Sequence, residues 1–241
     1  MKSLGCIFLF LSLILSCKKE NNCFISEGNK SSNIIYLDEF SNIEIHDFMD
    51  VNWHYSSEHK IEIKGGENFI DEISTEIVES YLRLENKNGC KLLRRNVSDI
   101  RITLFCPHID TLTLKGNGKV VFVDTMKSNL WVNSYTNQGT MNLKINNDKT
   151  KFHLESGSND INLEGSSNYC DYYNLGTNHF YAKNFEVDSF RCHNQSNGVT
   201  EIKVNTWLNV EQNGDGDIHY WGNPKVNIAS HLGKGEIVNQ Y

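Results

Sequence analysis

Carboxylates, aromatic rings and thiols are the side chains here with the chemistry to form a site. Asp215 and Asp217 stand in Gly214-Asp215-Gly216-Asp217, where a calcium ion could collect carboxylate and carbonyl oxygens. The run is too short for an EF-hand loop, and a Gly-rich turn explains it without a metal. Asp160 and Asp217 occupy one position of a repeat described below, three repeats apart. At roughly 4.8 Å per strand they would lie about 14 Å apart, beyond the ~5–9.5 Å of a glycosidase carboxylate pair. Nine His are scattered through the chain without an HExxH, and neither GxSxG nor GxxxxGK occurs. Zinc-peptidase, serine-hydrolase and phosphate-loop chemistry therefore have no motif to stand on. No enzyme activity and no cofactor are expected.

Trp131, Tyr172, Tyr173, Tyr181, Trp207 and Trp221 offer flat apolar faces of the kind on which sugar rings stack. Packing in the core or against a neighbouring strand is the competing use of each. A binding module would leave several of them on one exposed face, whereas a structural spacer would bury most. Among the seven cysteines, Cys6, Cys17, Cys23, Cys90, Cys106, Cys170 and Cys192, no two form a CxxC, so cysteine-rich zinc and thioredoxin-type sites have no support. Cys170 and Cys192 are expected either to face each other from neighbouring turns of the fold as a disulfide, or to be two separate buried thiols.

The elements that would position these groups are strands. In 241 residues there are 2 Ala and 2 Pro against 31 Asn and 17 Gly, which withholds the best helix former and supplies turn residues. Lys and Arg number 23 against 30 Asp and Glu, a net charge of −7; the basic footprint of a nucleic-acid binder is missing. From about residue 99, short runs alternate apolar and polar residues, as in Asp99-Ile100-Arg101-Ile102-Thr103-Leu104 and Thr140-Met141-Asn142-Leu143-Lys144-Ile145, the period of a half-buried strand. Turn residues recur at Gly118, Gly139, Asn159, Asn178, Gly198, Gly216 and Gly235, with gaps of 18 to 21 residues. Two places beyond these anchors lie Val120, Met141, Ile161, Phe180, Thr200, Ile218 and Ile237, six of them apolar, while the places between are mostly polar.

Strands recurring every ~20 residues without helical crossovers imply a coil in which each repeat is one rung. The expected fold is all-β, a right-handed parallel β-helix or β-solenoid of about seven ~20-residue rungs. Apolar columns would fill its inside and Asn would form hydrogen-bonded ladders at its corners; an antiparallel sandwich is the alternative. The first half reads as strands around Ile43, Trp53, Ile61 and Leu82. Between the last two, Phe69, Ile70, Ile73, Ile77 and Val78 sit at helical spacing and predict one short helix within residues 67–78. Lys91 to Val97, with Arg94-Arg95, reads as an exposed basic loop.

Met1-Lys2 and the apolar run Ile7 to Leu15 have the form of a signal peptide, too short to span a membrane comfortably. Its end, Ile14-Leu15-Ser16-Cys17, resembles the lipobox of bacterial lipoproteins, which implies cleavage before Cys17 and lipid on its sulfur. The chain thus divides into a signal peptide (1–16), a lipidated tether (17–35) and one domain (36–238), with a strand-rich first half (36–98) and a repeat half (99–238).

The ordered set Phe40-Ser41-Asn42-Ile43-Glu44-Ile45, Lys60-Ile61-Glu62-Ile63-Lys64-Gly65-Gly66, Tyr81-Leu82-Arg83-Leu84, Ile100-Arg101-Ile102-Thr103-Leu104 and Leu112-Thr113-Leu114-Lys115-Gly116-Asn117-Gly118, closed by Gly214-Asp215-Gly216-Asp217-Ile218-His219-Tyr220-Trp221-Gly222-Asn223-Pro224, resembles the head GIN domain family of auto-transporter adhesins. The resemblance implies a β-helical domain of exported Bacteroidetes proteins, often behind a lipoprotein signal, with adhesion as its role and no catalytic residues to carry over. Two departures from that pattern are Cys106 before Pro107 and Asn or Gln in middle turns such as Asn137-Gln138-Gly139. The expectation is a lipid-anchored, non-catalytic binding or adhesion module of the cell envelope. It would be an outer-membrane lipoprotein facing the periplasm or the outside, with the membrane as partner through Cys17 and a glycan or cell-surface protein as ligand. A structural envelope component is the alternative, with a polysaccharide hydrolase or lyase behind it.

Overall fold

The computed structural model describes residues 26–88, 100–135 and 138–241. The expected signal peptide (1–16), Cys17, Cys23, Cys90 and the expected basic loop Lys91 to Val97 lie outside these residues. The chain forms β1 (Lys30–Tyr36), β2 (Asn42–Ile45), β3 (Asp50–Tyr55), β4 (Lys60–Gly66), a single helical turn α1 (Glu67–Ile70), β5 (Ile73–Val78), β6 (Tyr81–Asn86), β7 (Arg101–Cys106), β8 (Thr111–Leu114), β9 (Gly118–Phe122) and β10 (Leu130–Ser134). Four long strands follow, β11 (Gln138–Leu154), β12 (Ser158–Asn174), β13 (His179–Asn194) and β14 (Thr200–Gln212), and then β15 (Ile218–Trp221), β16 (Lys225–His231) and β17 (Ile237–Asn239).

These strands build a β-solenoid of two parallel stacks. One runs β6, β2, β8, β10, the second halves of β11 to β14, and β16. The other runs β7, β3, β9, the first halves of β11 to β14, β15 and β17. The register follows the sequence repeat: Gly118 pairs Gly139, Gly139 pairs Asn159, and Ile218 pairs Ile237. The seven anchor levels from Gly118 to Gly235 bound about six turns. At Gly139 an added Cβ would lie 2.0 Å from the Gly118 carbonyl oxygen, and Gly118 itself has φ +136°, so a side chain is excluded where the backbone of one rung crosses the last.

Period-two alternation decides which residues meet in the middle. Val120, Met141, Ile161, Phe180 and Ile218 are buried, and Phe180 from one stack meets Phe152 and Tyr172 from the other at ring separations of 5.2 and 4.2 Å. Beside this apolar core runs a seam of buried amides. Asn178 Oδ1 accepts from the Asn159 backbone N–H at 3.0 Å and side-chain amide at 2.7 Å, while Asn178 Nδ2 donates to Asn174 Oδ1 at 2.8 Å. One rung on from Asn174, Asn194 Nδ2 donates to Gln212 Oε1 at 2.9 Å, and Ser196 Oγ accepts from the Gly198 N–H at 2.9 Å. The outside carries further ladders, Asn168 to Asp148 at 2.7 Å at an exposed corner and Asn162 to Asn142 at 3.0 Å on a partly exposed strand face.

The first half departs from chain order. β6 and β7 form a rung stacked outside β2 and β3, so the third pair of strands lies beyond the first. Antiparallel strands close that end: β4 pairs β7, β1 pairs β4, and β5 pairs β6. The helix expected over 67–78 is confined to Glu67–Ile70. Ile73 to Val78 is instead a strand, turned into β6 by Glu79 and Ser80 at φ 50° and 67°, the positive pair of a tight hairpin turn. Ile73 and Ile77 satisfy period two as well as helical spacing, and β-branched side chains paired along β6 favour the strand.

Removing the Asn178 carboxamide takes the side-chain acceptor from the buried Asn159 N–H and one of two donors from Asn174 Oδ1, which keeps the Gly176 N–H; hydrogen bonds lost inside the protein cost about 1–3 kcal/mol. Asn178→Ala is expected to lower unfolding free energy by roughly 3 kcal/mol in guanidinium titrations, while Asn162→Ala, at a partly exposed ladder, costs no more than about 1 kcal/mol.

Candidate binding surface

On the outside of the first stack, parallel register lines up Arg83, Glu44, Thr113, Asn133, His153, Tyr173, His193 and Glu211 in one column. Its lower end is an ionic cluster in which Glu44 accepts from Arg83 at 3.3 Å, Lys115 at 3.0 Å and His46 at 3.1 Å. Burial opposes ionisation of Glu44, but the hydrogen bonds from His46, Lys115 and Arg83 outweigh it and hold its pKa below the ordinary 4.5. Further along, Tyr173 is flanked by His153 at 4.9 Å and by His193 at 4.4 Å, the latter nearly parallel at 20°. Glu211 lies one rung further, 2.8 Å from His193 Nδ1 and 3.5 Å from Arg191. Both faces of the Tyr173 ring are thereby covered, and only its edge is presented outward.

The six candidate stacking residues do not share a face. Adjacent positions on a strand point to opposite sides, so Tyr172 is a core residue, fully buried, while Tyr173 faces out. Trp131, 46% exposed, lies on the outside of the first stack with the Lys151 ammonium 5.1 Å over its ring. Trp207, 45% exposed, begins the second half of β14 at a corner and carries Lys225 at 4.7 Å. Tyr181 and Trp221 are on the other stack, beside His179 (rings parallel within 4°, 5.9 Å apart) and under Lys183 at 5.9 Å. Each outward ring thus has a neighbour over at least one face.

Asp160, His179, Val199 and Asp217 are successive members of one outward column, so the two aspartates are three rungs apart. The calcium candidates are used as turn caps: Asp215 Oδ1 accepts from the Lys234 N–H at 3.1 Å and Asp217 Oδ1 from the Glu236 N–H at 2.9 Å. Among the described residues no group of three or more His, Cys, Asp or Glu is placed to hold a metal ion.

Cys106, Cys170 and Cys192 are buried free thiols. Cys170 sits opposite Phe190, and Cys192 opposite Tyr172, so the disulfide alternative for Cys170 and Cys192 fails on register. One rung apart and two residues out of step, their Cα atoms are about 8 Å from each other, beyond the ~7 Å a disulfide tolerates. Burial pushes both thiols far above their ordinary pKa, and Cys106 up to about 12 despite a hydrogen bond from the Trp53 indole N–H at 3.2 Å. They behave as apolar core residues.

One concavity lies where the first stack turns into the second. Successive turns contribute Glu155 and Ser158, then Leu175 and Thr177, then Gln195 and Asn197, around an open cleft of about 430 Å³. The amide seam runs directly beneath: the Gly176 N–H donates to Asn174 Oδ1 at 3.2 Å and the Thr177 N–H to the Gly157 carbonyl at 2.9 Å. These six residues precede the anchors Asn159, Asn178 and Gly198 by one to four places, so the repeat itself had assigned them to one corner. Their concavity depends on turn geometry that periodicity does not encode.

Two parallel stacks, one end capped by antiparallel strands, place the molecule among β-solenoid domains. The sequence matches the model of the family described as "Putative auto-transporter adhesin, head GIN domain" over residues 39–224, and the chain belongs to that family. No protein of curated description matches the sequence. Among solved structures it is similar to a putative adhesin from Bacteroides fragilis NCTC 9343 (19% identity, TM-score 0.75, covering 89% of this chain and 99% of that one). It is also similar to a putative adhesin from Parabacteroides merdae ATCC 43184 (20%, 0.64, 88% and 98%) and to a putative lipid binding protein from Parabacteroides distasonis ATCC 8503 (17%, 0.57, 88% and 98%). At these identities the likeness concerns the fold.

Two outcomes follow from the geometry. Non-reducing peptide mapping of the folded chain should yield no peptide joining Cys170 to Cys192. A carboxyl whose pKa is lower folded than unfolded adds stability above its unfolded pKa and loses it as pH falls through the folded value. The stability advantage over Glu44→Gln should therefore be largest near neutrality and shrink as urea titrations are taken below pH 4.5.

Proposed function

We propose that this chain is a lipid-anchored, non-catalytic binding and adhesion module of the bacterial cell envelope, tethered through Cys17, with a glycan or protein surface as its partner. The observation that carries this reading is the open polar cleft built on three successive turns of a rigid solenoid. Membership of an adhesin family and the lipobox-like Ile14-Leu15-Ser16-Cys17 agree with it. No helix of the described residues is long and apolar enough to cross a membrane, so an anchor at Cys17 would supply the attachment. The separation of Asp160 from Asp217 supports a non-catalytic role. One observation favours a purely structural envelope component instead: the outward aromatics are dispersed over two stacks and a corner rather than gathered into one platform.

Intact cells treated with external protease separate the two. The adhesion reading expects loss of the full-length band while a periplasmic control survives, and expects Cys17→Ser to release the protein from the membrane fraction. Protection of the band would overturn surface adhesion in favour of the structural role.

A further inference from the structure

We infer that the corner cleft is a subsite for an uncharged, linear oligosaccharide that lies along the solenoid axis across successive turns. This rests on the binding-module reading and specifies its ligand. Among the described residues the lining is dominated by hydroxyls and carboxamides, Ser158, Thr177, Gln195 and Asn197, with one carboxylate at Glu155 and no Lys or Arg. Groups that both donate and accept suit a ligand whose hydroxyls do the same, while the lack of a cation removes the fork or ammonium that phosphate, sulfate or uronate recognition requires. Glu155, 3.5 Å from His153 Nε2, adds a carboxylate that disfavours an anion.

The side chains of Ser158 and Asn197 are exposed and make no hydrogen bond among the described residues, whereas Thr177 Oγ1 donates to the Gly157 carbonyl at 2.9 Å and Gln195 contacts His193. Two uncommitted polar groups thus stand beside two fixed ones. Leu175, 36% exposed, supplies the single apolar surface in the cleft, enough for the C–H face of one sugar ring. Equivalent positions recur from turn to turn at the strand spacing of roughly 4.8 Å, which suits a polymer with a regular advance. The volume of about 430 Å³ lies in the range of small-ligand sites, roughly 300–1,000 Å³. The floor is held by buried amides, so little ordering accompanies binding.

The test uses the full chain in calorimetric titrations with four neutral hexasaccharides (cellohexaose, mannohexaose, laminarihexaose and maltohexaose) and with hexagalacturonate as the anionic counterpart. At least one neutral hexamer should bind, more tightly than hexagalacturonate. The double variant Ser158→Ala/Asn197→Ala should weaken it roughly tenfold at an unchanged melting temperature, and Glu155→Gln should narrow the gap to the anionic hexamer. As a readout independent of variants, the amide resonances of Gly157, Gly176 and Gly198 should shift on titration. The inference is overturned if no neutral hexamer binds while the chain still adheres to envelope preparations, a result that leaves the binding-module reading standing. It is equally overturned if binding is indifferent to the double variant and the three glycine amides do not move. Failure to bind either the hexamers or envelope preparations would sink both.

Discussion

Everything in this molecule depends on each rung lying in register on the last. Backbone N–H and C=O groups along β11 to β14 are satisfied by the neighbouring turns, so a side chain's neighbours above and below are decided by its place in the repeat. That constraint sorts the sequence into columns: apolar columns inside, an amide seam beside them, mixed polar columns outside. It also explains why polar residues as costly to bury as Asn159, Asn174, Asn178 and Asn194 are tolerated. A carboxamide that meets another carboxamide one rung away regains part of the hydrogen bonding it gave up to water.

Register governs the outer surface in the same way, and this bears on how the protein could hold a ligand. Rings placed one above another in parallel strands cover each other's faces, as His153, Tyr173 and His193 do, and lysines one rung away cover Trp131 and Trp207. A solenoid therefore tends to spend its aromatic faces internally along its own axis. Recognition shifts to the corners, where turns rather than strands set the shape and where Ser158, Leu175, Thr177 and Asn197 converge.

Much of the repeat half was legible because two periods coincide there, one of two residues and one of about twenty; Ile161 and Phe180, or Asp160 and Asp217, could be assigned a side and a level by counting. The first half resisted because its rungs do not stack in chain order: nothing local tells that Leu82 lies beyond Ile43. Ile73 to Val78 fits two periods at once, and long-range pairing with β6 decided between them. For Cys170 and Cys192, neighbouring turns were right and the step along the strand was not. The cleft was legible as an address in the repeat but not as a hollow, since that comes from the path of three turns.

The two ends of the solenoid differ in kind. Beyond β7 and β6 the chain reverses direction and seals both stacks with antiparallel strands, while β16 and β17 each pair on one side only among the described residues. A reversed strand cannot serve as the floor for another rung of the same hand, but a parallel edge can. The molecule consequently has a growing direction, like a staircase with a landing at its foot. Copies of the ~20-residue unit can be gained or lost towards the far end without re-registering the sealed one, so length becomes the property of this scaffold most open to evolutionary change.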